Sequence, residues 1–363
     1  MLKNNIPFSF RFRFGQFQLL DHLLGRKSGY NLTKKARKKF YNNLKNQLIT
    51  KEKGKVVEVE RVKDISEKKF RENYLKKNIP VILDGAALNW DCIKDWSLDY
   101  FIEKHGQDEI KVVEDITMNK HGGVERENYS SNLKTELTNI KNGKGNYYRF
   151  YPLMNKHPEH LKDIDEPYLK SKIEWFSTFK AYQVFFGGKG TLTNLHNANA
   201  SNFFTQIVGE KEWYLYPISS TPVFDPSPTD GMSRGAPIRT KEGPFDPFNP
   251  NFEYPYHLFE YIDSYHMILK PGDIFFNPPY YWHAVRNNTE SIGMGFRWIA
   301  PSAIFRSSKL YFTLDFFSKI WIKAFQARKD INEMHAKDAN ALDNKTTKSN
   351  HINDQTRKSK IHH

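Results

Sequence analysis

Glycine turns divide the second half of the chain into short apolar segments. From Tyr182 onward, YQVFF precedes GGKG and TLTNLH, while NFFTQIV and WYLYPI flank GEKE. After a long proline-rich stretch, residues 219–258, the pattern continues with HMIL, the turn KPGD, IFF, YWHAVRN and SIGMGFRW. Short strands at regular spacing with glycine turns are typical of an antiparallel barrel or jelly roll. We therefore predict a mainly β fold, a double-stranded β-helix with flanking helices.

Helical patterns surround this predicted barrel. The basic N-terminal region predicts one or two amphipathic helices with Leu19, Leu20, Leu23 and Leu24 on one side. An apolar stripe near the C-terminus predicts a helix that packs on the barrel or forms a homodimer with a second copy of the chain. Four parts are predicted. They are a basic helical N-terminal extension (residues 1–55), the β-rich domain (56–305), the C-terminal helix (306–330) and a disordered basic tail (331–363).

Composition narrows the classes of function. Cys92 is the single cysteine, so an intrachain disulfide is excluded and a cytoplasmic location is expected. No segment has the length and hydrophobicity of a membrane span. The formal net charge is +14, but the basic excess lies near the two ends and no nucleic-acid-binding motif is present. A small-molecule or peptide substrate is therefore favoured over a nucleic acid as the partner.

Two histidines occupy comparable positions on predicted barrel strands. His196 ends TLTNLH, and His283 lies within YWHAVRN. A facial iron site uses three protein ligands, usually two histidines and a carboxylate, and leaves positions open for a co-substrate and oxygen. A jelly roll can bring such ligands together because inward side chains of neighbouring strands converge. A lone histidine on a strand is more often structural, so the flanking residues decide the interpretation.

Those flanking residues resemble a known family. Three ordered blocks are similar to the cupin-like JmjC family of Fe(II)/2-oxoglutarate-dependent oxygenases: NIPVILDGAALNW, GGKGTLTNLHNANASNFFTQIVGEKEWYLYPI and PGDIFFNPPYYWHAVRN. The resemblance implies a cupin jelly roll with dioxygenase chemistry that uses Fe(II), 2-oxoglutarate and O2. It also implies that His196 and His283 bind the metal, and that Thr193, Asn202 and Lys211 contact 2-oxoglutarate.

Further residues are expected near the same pocket. Lys211 shares strand parity with Trp213, so we expect it to point inward towards the distal carboxylate of the co-substrate; the alternative is a solvated turn lysine. Either Tyr147 or Tyr148 completes the pocket. Arg297 is a candidate for holding a carboxylate of the substrate or co-substrate, and its alternative role is a buried structural salt bridge.

Ala198 departs from the family's His-x-Asp pattern, because the sequence reads His196-Asn197-Ala198. In one interpretation chloride or bromide fills the vacated position, as in radical halogenases of the wider superfamily, and the enzyme halogenates an unactivated C–H bond. In a second, water or another group such as Asn197 or Asn199 completes the site of a hydroxylase. In a third, the fold is a non-catalytic binding protein. The other matched residues are all present, which argues against the third interpretation. We favour the halogenase, because a halide would restore the negative charge of the missing aspartate and alanine leaves space for it.

Overall fold

Two β-sheets face each other, and apolar clusters lie between them and on their outer faces. The computed structural model describes residues 2, 6–113, 117–118, 124–125, 128–144, 147–228, 233–237 and 243–317. Met1–Leu314 belong to one compact unit, and of the second unit, Asp315–His363, only residues 315–317 are described. The predicted tail, residues 331–363, therefore lies outside the described residues.

The regular elements of the described residues follow one another along the chain. The helices are α1 (Phe8–Leu24), α2 (Arg26–Ile49), α3 (Glu67–Phe70), α4 (Asp91–Asp95), α5 (Leu98–His105), α6 (Leu133–Lys141), α7 (Leu153–Lys156), α8 (Glu166–Ser171), α9 (Thr221–Phe224), α10 (Pro301–Ser307) and α11 (Lys309–Phe317). The strands are β1 (Val56–Glu58), β2 (Arg61–Val62), β3 (Val81–Leu83), β4 (Glu109–Val113), β5 (Thr117–Met118), β6 (Val124–Glu125), β7 (Asn128–Asn132), β8 (Tyr147–Tyr151), β9 (Lys180–Gly187), β10 (Leu192–Ala198), β11 (Ser201–Val208), β12 (Lys211–Tyr216), β13 (Ser233–Gly235), β14 (Ser264–Leu269), β15 (Ile274–Asn277), β16 (Trp282–Asn287) and β17 (Ser291–Trp298).

The strand order is that of the predicted jelly roll. One sheet has the order β1-β14-β12-β16-β10-β13, and the other has the order β2-β3-β15-β11-β17-β9-β8. Pairing is antiparallel except where the short strands β1 and β2 join β14 and β3. At the turn between β11 and β12, Gly209 has φ 69°, and an added Cβ would lie 2.0 Å from the carbonyl oxygen of Glu290. Only glycine fits this turn without displacing its neighbour.

Aromatic side chains join the two sheets between their facing surfaces. Phe204 of the seven-stranded sheet lies 5.2 Å from Trp213 of the six-stranded sheet, and Phe185 lies 5.6 Å from Phe204, measured between ring centroids. Val285 and Phe275 belong to the same buried cluster. This apolar packing holds the sheets together beside the site described below.

The N-terminal helices cover the outer face of the six-stranded sheet, but not through the predicted leucine side. That prediction is wrong, because Leu19 and Leu23 are 45% and 67% exposed. The helix instead buries Phe17 against α2, where it meets Phe40 with ring centroids 5.5 Å apart. The alternating Phe and Arg residues conceal the buried stripe, and it includes a polar residue, Asp21.

The predicted C-terminal helix is interrupted. Ser307 ends α10, Ser308 is extended with φ −158°, and α11 begins at Lys309. The Ser308 hydroxyl accepts a hydrogen bond from the backbone N–H of Tyr311 at 3.2 Å, so Ser308 caps the new helix. Residues 318–330 of the predicted helix lie outside the described residues. Among the described helices, none is both long enough and apolar enough for a membrane crossing.

A buried ion pair fixes α1 against α2, and its loss should destabilise the protein. The Asp21 carboxylate is fully buried and accepts from Arg37 at 2.7 Å. We expect Asp21→Asn to lower the free energy of unfolding by about 3 kcal/mol, because the buried Arg37 would lose its closer carboxylate and keep only Asp225, at 3.6 Å. Urea denaturation followed by circular dichroism measures this. The control is Asp99→Asn, in an exposed pair with Lys141, for which we expect less than about 1 kcal/mol. Equal effects of the two substitutions would contradict the assignment.

Candidate metal centre

His196 and His283 meet across neighbouring strands of the six-stranded sheet. They are directly opposite each other in the β10–β16 pairing, and their ring centroids are 4.2 Å apart. Trp213 of β12 stacks on the His283 ring at 5.6 Å. His283 and Trp213 both face the space between the sheets, so the two imidazoles lie at the inner surface of the barrel.

In both imidazole rings Nδ1 makes a hydrogen bond, and Nε2 is left available for a metal. The Nδ1 of His196 lies 2.8 Å from the carbonyl oxygen of Asn194, and the Nδ1 of His283 lies 2.9 Å from that of Tyr281. A carbonyl can only accept, so each Nδ1 carries the proton and each Nε2 presents a lone pair. Burial lowers the pKa of His283 to about 4, and burial and the neighbouring His283 lower that of His196. Both rings are therefore neutral, as metal ligation requires.

An irregularity in β10 places Thr193 and His196 on the same face. Thr193 pairs with Val285 and His196 with His283, so β10 contains one extra residue between these two pairs. In a regular strand, residues three apart point to opposite faces. The bulge removes this opposition and brings the Thr193 side chain to the inner surface, where it hydrogen-bonds with Tyr147.

Ala198 follows His196 on the inner surface of the same strand. The β10–β13 pairing runs regularly from His196 to Ala198, so the two residues share a face. The intervening Asn197 is fully buried on the opposite face, as strand alternation predicts. In the described residues, no group of three His, Cys, Asp or Glu side chains is arranged to hold a metal ion. The site therefore presents two histidines and an alanine where a carboxylate would complete the set.

Lys211 is fully buried and points inward, as its strand parity predicts. Its ammonium donates to the side-chain oxygen of Asn287 and, at 2.9 Å, to the hydroxyl of Ser291. The Tyr147 ring lies 4.9 Å away. Burial, and secondly the charge of Arg149, lower the pKa of Lys211 to about 7, because no carboxylate of the described residues compensates its charge. A buried ammonium without an anion is a binding site for one.

Asn202 and Tyr147 are placed near this lysine and the histidines. Asn202 lies on β11, and its buried Oδ1 has no hydrogen-bond partner in the described residues. Of the two candidate tyrosines, Tyr147 is the one that faces Lys211 and Thr193. Tyr148 instead stacks on Phe186 in the core on the other side of the sheet. The site thus contains polar groups aimed into the barrel that the protein itself leaves unsatisfied.

Arg297 lies on β17 directly opposite Asn202. Its guanidinium carbon is 5.2 Å from the Phe150 ring centroid and 5.8 Å from that of Phe185. The Nε is buried without a hydrogen-bond partner. Burial lowers the pKa of Arg297 to about 10, and no carboxylate of the described residues opposes this. A structural salt bridge, the alternative role for this arginine, is therefore absent from the described part of the chain.

Comparison with known proteins agrees with this architecture. The family model described as a cupin-like domain matches residues 67–303. The chain belongs to the cupin-like domain family.

Several curated proteins are similar to this cupin-like domain. Lysine-specific demethylase 8 of Xenopus tropicalis is 26% identical over 230 residues, which cover 63% of this chain and 50% of that protein. JmjC domain-containing protein F of Dictyostelium discoideum is 24% identical over 63% of this chain and 59% of its own length. tRNA wybutosine-synthesizing protein 5 of Gallus gallus is 22% identical, with coverages of 67% and 77%. The chain spans about half the length of the first two relatives.

Sequence reasoning missed three polar residues of the site in this cupin-like domain. Asn287 and Ser291 hold the Lys211 ammonium, and Arg149 lies over the Tyr147 ring at 4.6 Å. Strand parity was the available signal, because Asn287 is four residues after His283 and Arg149 is two after Tyr147. Neither residue belongs to a recognisable ligand pattern, so parity alone gave no reason to select them.

Replacement of Lys211 should separate stability from co-substrate binding. We expect Lys211→Met to stabilise the ligand-free protein by about 1–3 kcal/mol at pH 7, because a buried cation without a partner is removed. The same change should abolish binding of 2-oxoglutarate. Thermal unfolding and calorimetric titration measure the two effects. The control is Lys189→Met in the exposed turn before β10, which should change neither. A destabilised variant that still binds 2-oxoglutarate would contradict this role.

The pH dependence follows from the same group. The folded pKa of Lys211, about 7, lies below its ordinary value of 10.5. Between these values the unfolded chain binds the extra proton, so the stability of the ligand-free protein should rise with pH across this window. Binding of 2-oxoglutarate requires the charged form, so its affinity should fall about tenfold per pH unit above about pH 7. Calorimetry at several pH values tests this, and an affinity that is constant up to pH 9 would contradict it.

Proposed function

We propose that this cupin-like domain is an Fe(II)/2-oxoglutarate-dependent radical halogenase that acts on an unactivated C–H bond. In this proposal His196 and His283 hold the iron, and chloride or bromide occupies the position beside Ala198. The observation that carries it is Ala198 in place of a carboxylate on the face of two metal-ready histidines, in a barrel whose buried lysine also lacks a carboxylate. Neither the histidines nor the lysine contribute to a stable fold without ligands.

The histidines suit iron. Each Nδ1–H is oriented by a carbonyl two residues earlier in the chain, so each Nε2 is directed by its own strand. A hydrogen bond from the ring nitrogen that does not bind the metal fixes the tautomer and the ring position of a ligating histidine. Two imidazole ligands with open positions beside them are suited to non-haem iron, which must also bind a co-substrate and oxygen.

The polar groups suit a dicarboxylate. Lys211 supplies a buried cation for the distal carboxylate, and Tyr147 lies against it. Thr193 and Asn202 supply hydrogen-bonding groups between the lysine and the histidines. A dianion at this place would raise the pKa of Lys211 towards its ordinary value and compensate the cost of its burial.

The surroundings of Ala198 suit a small anion. Two neutral imidazoles and a 2-oxoglutarate dianion leave Fe(II) formally neutral, whereas an aspartate would add one negative charge. The methyl group of Ala198 cannot ligate, and it leaves space on the face that carries His196. A halide restores the missing negative charge, and in the described residues no carboxylate is placed to compete with it.

His196 and His283 would hold the iron, which with 2-oxoglutarate and oxygen would supply the oxidising chemistry needed to activate a C–H bond. The overall reaction consumes halide, oxygen, 2-oxoglutarate, a proton and the C–H compound; it releases succinate, carbon dioxide, water and the halogenated product. The chain's own part is positional. His196 and His283 hold the reacting centre, Lys211 orients the co-substrate, and the apolar rings of Trp213 and Phe204 exclude water from the inner side.

A hydroxylase of a peptide or small molecule is the second candidate. The curated relatives support it, because their names include lysine-specific and arginine-specific demethylases. Water in place of the halide would complete the same site. The two candidates share iron, 2-oxoglutarate and every residue assigned above, and they differ only in the ligand beside Ala198.

Metal and co-substrate should bind together. Anaerobic addition of Fe(II) and 2-oxoglutarate should produce the weak visible absorption band of the chelated pair. His196→Ala and His283→Ala should each abolish the band, because only two protein ligands are present. The control is His266→Ala, which removes a histidine from the outer surface of β14, where it bonds Glu58 and Glu212. The non-catalytic interpretation predicts no band and no retained iron in the unaltered protein.

Ala198→Asp distinguishes the halogenase from the hydroxylase. An aspartate there should occupy the vacated position and exclude halide, so halogenated products should disappear and any remaining turnover should yield hydroxylated product or succinate alone. Mass spectrometry of products formed with chloride, with bromide and without halide gives the reading. Ala198→Ser, which changes size without adding a carboxylate, is the matched control. If the unaltered enzyme hydroxylates equally well without halide and forms no halogenated product, the halogenase proposal fails.

A further inference from the structure

The inner face of β17 leaves Arg297 as its one large side chain near the histidines. Gly293 and Gly295 precede Arg297 at alternate positions and share its face. At Gly295 an added Cβ would lie 3.0 Å from the Oδ1 of Asn202 and 3.4 Å from the ring of Phe185. The missing side chain at Gly295 therefore leaves room for Asn202 and Phe185. The guanidinium of Arg297 lies over the ring of Phe185.

The guanidinium is supported by aromatic rings and not by an opposite charge. Phe150 and Phe185 lie within 6 Å of it. Phe150 has φ 68°, in the left-handed region that non-glycine residues rarely adopt. Backbone strain of this kind persists where a site requires a particular side-chain position. Arg297 is partly buried, and its Nε has no hydrogen-bond partner among the described residues.

Arg297 also belongs to the inner surface that carries the histidines. Its guanidinium lies over Phe185, which packs on Phe204. Phe204 in turn packs on Trp213, whose ring stacks on His283. Lys211 is the group that serves the distal carboxylate of the co-substrate. If a dianionic co-substrate and one halide are bound, a divalent metal together with Lys211 and Arg297 still leaves one positive charge, besides that of Arg149. No carboxylate of the described residues pairs with Arg297.

We propose that Arg297 binds a carboxylate of the substrate, so that this site takes an acidic substrate and excludes cationic side chains. The location of the reacting centre rests on the proposed function. A guanidinium matches a carboxylate with two parallel hydrogen bonds, and its Nε, which is unpartnered here, belongs to that fork. A lysine or arginine substrate would meet like charge in a low-dielectric space. The substrate class therefore differs from the lysine and arginine in the names of the curated relatives.

The test measures binding and does not need turnover. The full chain is saturated with 2-oxoglutarate in the absence of oxygen, and its thermal unfolding is followed with added probes. The probes are N-acetylated amino acids with a free α-carboxylate and the same compounds as α-carboxamides. We expect the acids, and not the amides, to raise the unfolding temperature. Arg297→Gln should weaken acid binding by about tenfold or more, whereas Arg297→Lys, which keeps the charge but not the two-bond fork, should weaken it less.

Two control variants separate this site from other charges. Arg286→Gln removes an arginine from the outer face of β16, where it pairs with Glu212, and should leave acid binding unchanged. Lys189→Met removes a cation from the exposed turn before β10 and should also leave acid binding unchanged. The proposal is overturned if amides bind as well as acids, if Arg297→Gln binds acids like the unaltered protein, or if no acid at about 10 mM, a concentration that fills millimolar sites, changes the unfolding temperature.

The enzyme proposal is tested by a different measurement from the carboxylate-binding proposal. Succinate formation from 2-oxoglutarate with iron and oxygen is measured separately on the same protein. Absence of succinate and of iron binding would refute the enzyme proposal, while acid-specific binding that depends on Arg297 would still stand.

Discussion

The burial of Lys211 without a carboxylate is the interaction on which the site depends. Removing an ammonium from water is costly unless an anion accompanies it, and here the side-chain oxygen of Asn287 and the hydroxyl of Ser291 give only neutral compensation. The sheets nevertheless pack tightly around the lysine, with Phe204 and Tyr147 against its charged end. The ligand-free barrel therefore holds an unfavourable charge in a fixed place. An anion that enters the barrel removes this cost, so the energy stored in the fold becomes binding energy for a carboxylate.

Small backbone irregularities convert this charged barrel into an ordered site. The extra residue in β10 turns Thr193 to the face of His196, and the regular stretch after it keeps Ala198 on that face. Glycines on β17 leave space for Asn202 and Phe204 to extend inward. A regular strand with side chains at every position would fill the same volume. Function here is located where the sheets depart from ideal geometry, as strand bulges near sites generally are.

Much of the fold could be predicted from the sequence because apolar runs and glycine turns mark the strands directly. Strand parity was sufficient to predict that Lys211 points inward, because Trp213 fixes which face of β12 is buried. Strand parity could not decide which of Tyr147 and Tyr148 faces the site, because adjacent residues point to opposite faces and the choice requires the strand register. The leucines of α1 did not indicate its buried side, because Phe17 and the ion pair of Asp21 determine that side. A buried charge leaves no apolar pattern in the sequence. Arg149 was missed because its place depends on tertiary contacts.

The alanine at position 198 is best understood together with the charges around it. A barrel that had lost its ligands would gain stability by replacing Lys211 with an apolar residue, and it would have no use for two histidines held in one tautomer. The chain instead keeps a cation, two oriented imidazoles and an unpartnered Asn202 around a position that cannot ligate. An anion would compensate the charge of Lys211, and a metal would take the lone pairs of the two imidazoles; the described protein provides neither a carboxylate nor a third ligand for them. Under the proposed function, the missing carboxylate would make the centre more dependent on anions from solution, and the identity of the anion beside Ala198 would decide its chemistry.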